Sequence, residues 1–303
     1  MIPHRVQDWD DAYAQAKNIP DGARWPAAWA EPAQSYRTEW SRSGRMLLDV
    51  PYGDRPRNRF DLFLPCTEAI GLVLFVHGGY WLELDKGLFS YLARGPLAHD
   101  LAVAIPSYTL CPEARIRDIT REIAAAIENA AARVSGPLFL SGHSAGGHLV
   151  TRMISSTSPL SEGTRSRIRN TLSISGVHDL RPLTRTAMNT ELRLSEAESV
   201  SESPALLEPQ PGSRVSCWVG ASERAEFLRQ SDLLANIWTG VGAQTSIYHE
   251  PDRHHFNIVD GLADPTHPMV QALLDGFVPS RPMRRPQERG PVEGRAREGN
   301  PCS

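Results

Sequence analysis

Three separated stretches of this chain carry residue types that together could activate a hydroxyl for attack on an acyl carbon. The first is "LFLSGHSAGGHL", which contains Gly142-His143-Ser144-Ala145-Gly146, a G-x-S-x-G. A bare match means little, because glycine and serine are common. Its setting means more: a continuous apolar run ends directly before it and a helix-forming run starts directly after. That is the strand–turn–helix of a nucleophile elbow. The turn is tight enough to want glycine two residues either side of the serine, and it exposes the Ser144 hydroxyl above the sheet. The helix start behind it favours developing negative charge.

A serine hydroxyl is a poor nucleophile at neutral pH and needs an adjacent base. With an elbow of this kind the acid and then the histidine follow the serine in sequence. The histidines after Ser144 are His148, His178, His249, His254, His255 and His267. Two of them stand in "IYHEPDRHHFNIVDGL", after the last strand-like run. His255 is favoured as base, with His254 as its local rival. His249 lies within the strand and reads as structural. His148, one turn into the elbow helix, reads as packed or hydrogen-bonded. For the acid, "CWVGASERAEFLRQS" offers Glu223 in a loop and Glu226 in the following helix, and Asp179 follows the preceding strand. The ranking is Glu223, Asp179, Glu226. Such an acid orients the imidazole and stabilises its charged form without taking the proton.

The third stretch is "LVLFVHGGYWLELDK". Acyl transfer needs donors aimed at the oxyanion of the tetrahedral intermediate. One is expected from the N–H of Ala145, after the serine. Others are expected from Gly78 and Gly79, where the lack of a Cβ lets the main chain approach a substrate. His77 would brace that loop from beneath. Tyr80 and Trp81 are expected at the wall of a substrate pocket, with His143 beside Ser144. Packing beneath a lid is the rival reading for both aromatics.

These residues need a scaffold, and the chain alternates strand-like and helix-like runs that would supply one. "RMLLDVPYG" and "NRFDLFLP" read as an antiparallel pair. "GLVLFVHGG", "LAVAIPSY", "PLFLSGHS", "RIRNTLSISGV", "RVSCWVGAS" and "AQTSIYHE" read as strands, the continuous apolar ones as strands buried on both faces. Helices are expected at "GLFSYLARGPLAHD", "RIRDITREIAAAIENAAARVSG", "AGGHLVTRMISS", "AEFLRQSDLLANIWTGVG" and "PMVQALLDGFV". The alternation implies an α/β fold with a mainly parallel sheet covered on both faces. Residues 1–40 read as a short helix, with Trp9, Tyr13 and Ala16 on one side, followed by an extended arm. Residues 41–278 form the catalytic domain, and the polar segment 180–212 is expected to be a small helical lid or insertion near the site. Residues 279–303, rich in Pro, Gly and Arg, read as a solvated, disordered tail.

The chain has 303 residues and a formal net charge of -3, which implies no general attraction to nucleic acid or acidic lipid. Cys66, Cys111, Cys217 and Cys302 lie far apart without ligand spacing, so neither a metal site nor a disulfide framework is expected, and free thiols are. No apolar run approaches the roughly 20 residues that span a bilayer, and no secretory signal is evident. A cytoplasmic protein without cofactor or metal is expected, acting on a small molecule, with no nucleic-acid or membrane partner and with a homodimer left open.

"HGGYW", "GHSAGGHL", "VGASERAEFLRQS" and "HHFNIV", in this order, resemble the kynurenine formamidase (arylformamidase) branch of the serine α/β-hydrolases. The similarity spans Tyr52 to Leu274 and includes "VPYG", "DLFLP" and "SGVHDL". The resemblance implies the α/β-hydrolase fold and cleavage of N-formyl-kynurenine to formate and kynurenine. A carboxylesterase is the alternative, and a non-catalytic binding protein on the same fold a more distant one. It also implies Ser144 as nucleophile, Glu223 as acid, His255 as base, and Gly78, Gly79 and Ala145 at the oxyanion hole. The chain departs from animal members at Glu223, where they carry aspartate.

Overall fold

Eight strands form one sheet in the order β1-β2-β4-β3-β5-β6-β7-β8, in a computed structural model that describes residues 6–275. The strands are β1 (Met46–Pro51), β2 (Arg59–Phe63), β3 (Leu72–Val76), β4 (Ala102–Pro106), β5 (Leu138–His143), β6 (Ile168–Ile174), β7 (Arg214–Gly220) and β8 (Gln244–Glu250). β2 pairs antiparallel with both β1 and β4, and every other pairing is parallel. This is the expected mainly parallel sheet.

Successive residues of β3 point to opposite faces, and both faces are buried. Leu72, Leu74 and Val76 enter one core, while Val73 and Phe75 enter the other. That explains why a central strand reads as an unbroken apolar run. The edge strands β1 and β8 are largely exposed and alternate poorly.

The helices are α1 (Trp9–Tyr13), α2 (Trp25–Ser41), α3 (Arg94–Leu97), α4 (Ile116–Arg133), α5 (Ala145–Arg152), α6 (Glu162–Arg165), α7 (Asn189–Leu192), α8 (Glu196–Ser201), α9 (Ala225–Gly240) and α10 (Pro268–Leu273). In α4 the expected face of Ile116, Ile119, Ile123, Ile127 and Ala130 is buried. The run "GLFSYLARGPLAHD" is a 3₁₀ stretch, Lys86–Ala93, followed by the single turn α3. Pro96 lacks the N–H a longer α-helix would need.

The expected extended arm is corrected: it is helix α2. Pro26 sits in its first turn, where the missing N–H costs nothing. Trp29, Ala33, Tyr36 and Trp40 then form a buried stripe at helical spacing. Segment 180–212 contains short helical pieces, including α7 and α8, as expected. Cys111 and Cys217 are free and buried. Cys66 is disulfide-bonded, against the expectation of free thiols. Distance along the chain does not limit which cysteines meet in space, and Cys66 stands exposed in the turn after β2. The tail 279–303, with Cys302, lies outside the described residues. No described helix is long and apolar enough to cross a membrane.

Candidate active site

Ser144 sits between β5 and α5 with φ 57 and ψ -117, a backbone conformation that a residue with a Cβ adopts only under constraint. The flanking glycines supply the constraint. A Cβ on Gly142 would stand 2.2 Å from the Gly146 carbonyl oxygen, and one on Gly146 would stand 1.9 Å from that of Val76. Only the G-x-S-x-G spacing lets the strand turn this sharply into the helix. Ala145 opens α5, so its N–H is among those the helix cannot satisfy internally.

His255 lies in the loop after β8 and Glu223 in the loop after β7. The His255 Nδ1–H donates to Glu223 Oε2 at 2.7 Å, and both side chains are buried. The other carboxylate oxygen, Oε1, accepts from Ser175 Oγ at 2.5 Å and from the Gly220 N–H at 2.9 Å. The Glu223 carboxylate is therefore held on both sides. His143 Nε2–H donates to the His255 carbonyl at 2.8 Å, tying the His255 backbone to the elbow. Burial, followed by the neighbouring His255, pushes the His143 imidazole well below its usual pKa, so it stays neutral. The Phe227 ring meets the His255 ring edge-on at 4.5 Å.

The rivals are engaged elsewhere. The His254 ring packs against Trp25 at 5.1 Å, and its Nδ1 accepts from the Phe256 N–H. His249 pairs with Asp232 at 2.8 Å, and His148 Nε2 donates to the Glu202 carbonyl. Asp179 pairs with Arg181. Glu226 takes Arg229 and the Tyr13 hydroxyl.

The loop after β3 runs directly over the serine: a Cβ on Gly78 would stand 2.9 Å from Ser144 Cβ. The Gly78 carbonyl is held from beneath by His77 Nδ1–H at 2.8 Å and by the Tyr108 hydroxyl at 3.1 Å. A trans peptide is planar, so the Gly79 N–H must point the opposite way. The Gly79 carbonyl accepts from the N–H groups of Leu82 and Glu83, which likewise fixes the direction of the next N–H, that of Tyr80. Gly79 itself has φ +94.

Ser144, His255, His143, Gly79 and Tyr80 line one cavity of about 460 Å³. The roof comes from the N-terminal segment: Tyr13, Gln15, Pro26 and Trp29 line it, together with Phe256. Segment 180–212, expected as the lid, contributes Met188. Trp81, expected at the pocket wall, is corrected. It is fully buried below the loop, edge-on to His148 at 5.1 Å. Tyr80 faces the cavity, while the Trp81 indole takes the core side. Sequence reasoning missed the roofing residues. The spacing of Trp25, Trp29, Tyr36 and Trp40 carried the signal. Among the described residues no cluster of three or more His, Cys, Asp or Glu is arranged to hold a metal ion.

A model of the alpha/beta hydrolase family matches residues 73–292. The chain is 31% identical over 251 residues to a kynurenine formamidase of Salmo salar, covering 78% of this chain and 84% of that protein. It is 29% identical to one of Danio rerio, with the same coverage. A crystal structure from Silicibacter sp. TM1040, described as that of a candidate thioesterase, superposes with a TM-score of 0.83 at 42% identity, over 88% of this chain and 99% of that one. Esterase B of Lactobacillus rhamnosus shares the fold at 17% identity and a TM-score of 0.60. The chain belongs to the α/β hydrolase family and, within it, to the kynurenine formamidase-like hydrolases.

Proposed function

We propose that this enzyme hydrolyses the formamide of an aryl formamide of the N-formyl-kynurenine type, with Ser144 as nucleophile, His255 as base and Glu223 as the acid that orients it. The observation that carries this reading is one cavity lined by Ser144 and His255, with the Glu223–His255 bond behind them and aromatic walls around them. A flat aryl leaving group suits such walls. The charged residues lining the cavity, Asp10, Lys17 and Glu83, carry both signs, which suits an amino-acid side arm. The family relationship supports the same bond type.

In the reaction, Ser144 Oγ attacks the formyl carbon while His255 Nε2 takes the hydroxyl proton. The resulting oxyanion is held by backbone N–H groups at Gly79 and Ala145, with Gly78 providing the close approach. As the C–N bond breaks, His255 returns the proton to the leaving aniline nitrogen. A formyl ester on Ser144 remains. Water attacks that ester, His255 takes the water's proton, and collapse releases formate and restores the serine.

The test is formate release from N-formyl-kynurenine by the purified protein, alongside hydrolysis of short aryl esters. Formamide turnover with kcat/KM above that of the esters supports the reading. Esters cleaved well with no formate released would replace it with the carboxylesterase reading, for which the 42% identity to a candidate thioesterase is the supporting observation.

A further inference from the structure

The loop over Ser144 carries consecutive left-handed residues: Gly79 has φ +94, Tyr80 φ 50 and Trp81 φ 58. Glycine accepts this conformation, but residues with a Cβ disfavour it, so something else must hold Tyr80 and Trp81 there. Their side chains leave the loop in different directions and are each anchored. The Trp81 indole is buried against His148 of α5, and the Trp81 carbonyl accepts from the Cys111 N–H at 2.8 Å. The Tyr80 hydroxyl donates to the Tyr13 carbonyl at 2.6 Å. Tyr13 belongs to the roof, and its own hydroxyl is fixed to Glu226 and Gln230 of α9, each at 3.0 Å. The Tyr80 ring also lies edge-on to Phe227, the residue packed on His255. Burial, followed by the nearby Tyr13 and Glu223, holds the Tyr80 phenol far above its ordinary pKa, so it remains a donor.

We propose that Tyr80 is a positioning residue: its hydroxyl, held by the Tyr13 carbonyl, fixes the left-handed backbone that aims the oxyanion N–H groups at Ser144, so the N-terminal roof and the oxyanion loop act as one unit. The inference rests on Ser144 as nucleophile and not on the identity of the acyl group. It makes Tyr80 more than a pocket wall. A wall contacts the bulk of a substrate and acts on its binding, whereas a residue that aims N–H groups acts on the transition state of every acyl substrate.

The test is Tyr80→Phe, which removes one oxygen and keeps the ring, with Tyr80→Leu as a second variant. Rates are expressed per site titrated with a fluorophosphonate, so that unfolded chains do not count. The substrates are an ortho-acyl formanilide and a small aryl acetate. The inhibitors are a trifluoromethyl ketone, which forms a tetrahedral oxyanion adduct on serine, and the product arylamine, which does not. For Tyr80→Phe, kcat is expected to fall about tenfold on every substrate the native enzyme cleaves, with KM moving less than about twofold. The ketone's inhibition constant should rise by the same factor as kcat/KM falls, in both variants, while arylamine inhibition by Tyr80→Phe stays level. A loss confined to the formanilide and expressed in KM would make Tyr80 a wall and overturn the proposal. Unchanged ketone affinity would also overturn it. If the native enzyme cleaves no formanilide, the formamide reading fails, and the acetate and the ketone still decide the role of Tyr80.

Discussion

Glu223 uses both of its carboxylate oxygens, one for the Ser175 hydroxyl and the Gly220 N–H and the other for His255. That division makes Glu223→Gln a sharp test. The amide oxygen of glutamine would have to serve the two donors at Ser175 and Gly220. Its NH₂ would then face His255 Nδ1 and force the opposite tautomer, with the proton on Nε2. Such an imidazole cannot accept the Ser144 proton, so kcat should fall about 10⁴-fold with KM little changed. Steady-state kinetics on any cleaved ester or formamide reads this directly. Glu223→Asp keeps the charge but draws it back by one methylene, and should retain far more activity than the glutamine variant. A fluorophosphonate should label the native protein at Ser144 and leave Ser144→Ala unlabelled, as seen by intact mass.

At the scale of elements, the β5–α5 turn and helix α2 place opposite demands on sequence. The turn depends on absences. A methyl group on Gly146 would meet rigid backbone at Val76, so Gly146→Ala should cost more than about 4 kcal/mol or abolish folding, measured by denaturant unfolding. Helix α2 depends on bulk. Trp29 is buried, meets Phe89 and Phe256, and donates its Nε1–H to the Phe256 carbonyl. Trp29→Ala should cost about 3–5 kcal/mol. It should also lower kcat/KM on a formanilide more than on a small acetate, because the roof loosens. The elbow, the central strands and α4 were legible in the sequence because each follows one local rule: glycine spacing, an unbroken apolar run, or a stripe every three to four residues. Helix α2 follows the third rule as well, but Pro26 and Pro32 sit inside it and argue for extended chain. Tertiary burial of Trp29, Tyr36 and Trp40 overrides that signal. Where the roof rests was not legible, because nothing local says that Tyr13 will meet residues more than two hundred positions away. The same holds for Trp81, whose neighbour in space, His148, lies on another element.

For the whole molecule, the buried histidines set a stability limit on the acid side. Burial depresses His77 to a pKa of about 4, and His148 and His178 to about 3. In the unfolded chain each accepts a proton near pH 6.5. Below that value the unfolded state binds more protons than the folded one, so stability is full above about pH 6.5 and falls as the pH drops toward about 3. At pH 5 the three together cost about 6 kcal/mol, comparable to the whole stability of an ordinary domain. Thermal unfolding from pH 7.5 to 5 should show Tm falling steeply below about 6.5; a flat profile would mean these imidazoles take up protons in place. The parallel order of the central strands was legible from the alternation of runs, and so was the packing of His148, whereas the burial of His178 emerged only once helices covered both faces. The bond between the Tyr13 hydroxyl and Glu226 spans 213 positions of chain. On a ribosome this bond must wait until α9 emerges, although Tyr80 and Phe89 reach the roof residues Tyr13 and Trp29 earlier. At ordinary rates of synthesis that wait is on the order of 10–40 s. The serine elbow is made partway through that wait and His255, the base proposed above, only after it, so on that reading the nascent hydrolase carries its serine before it can use it.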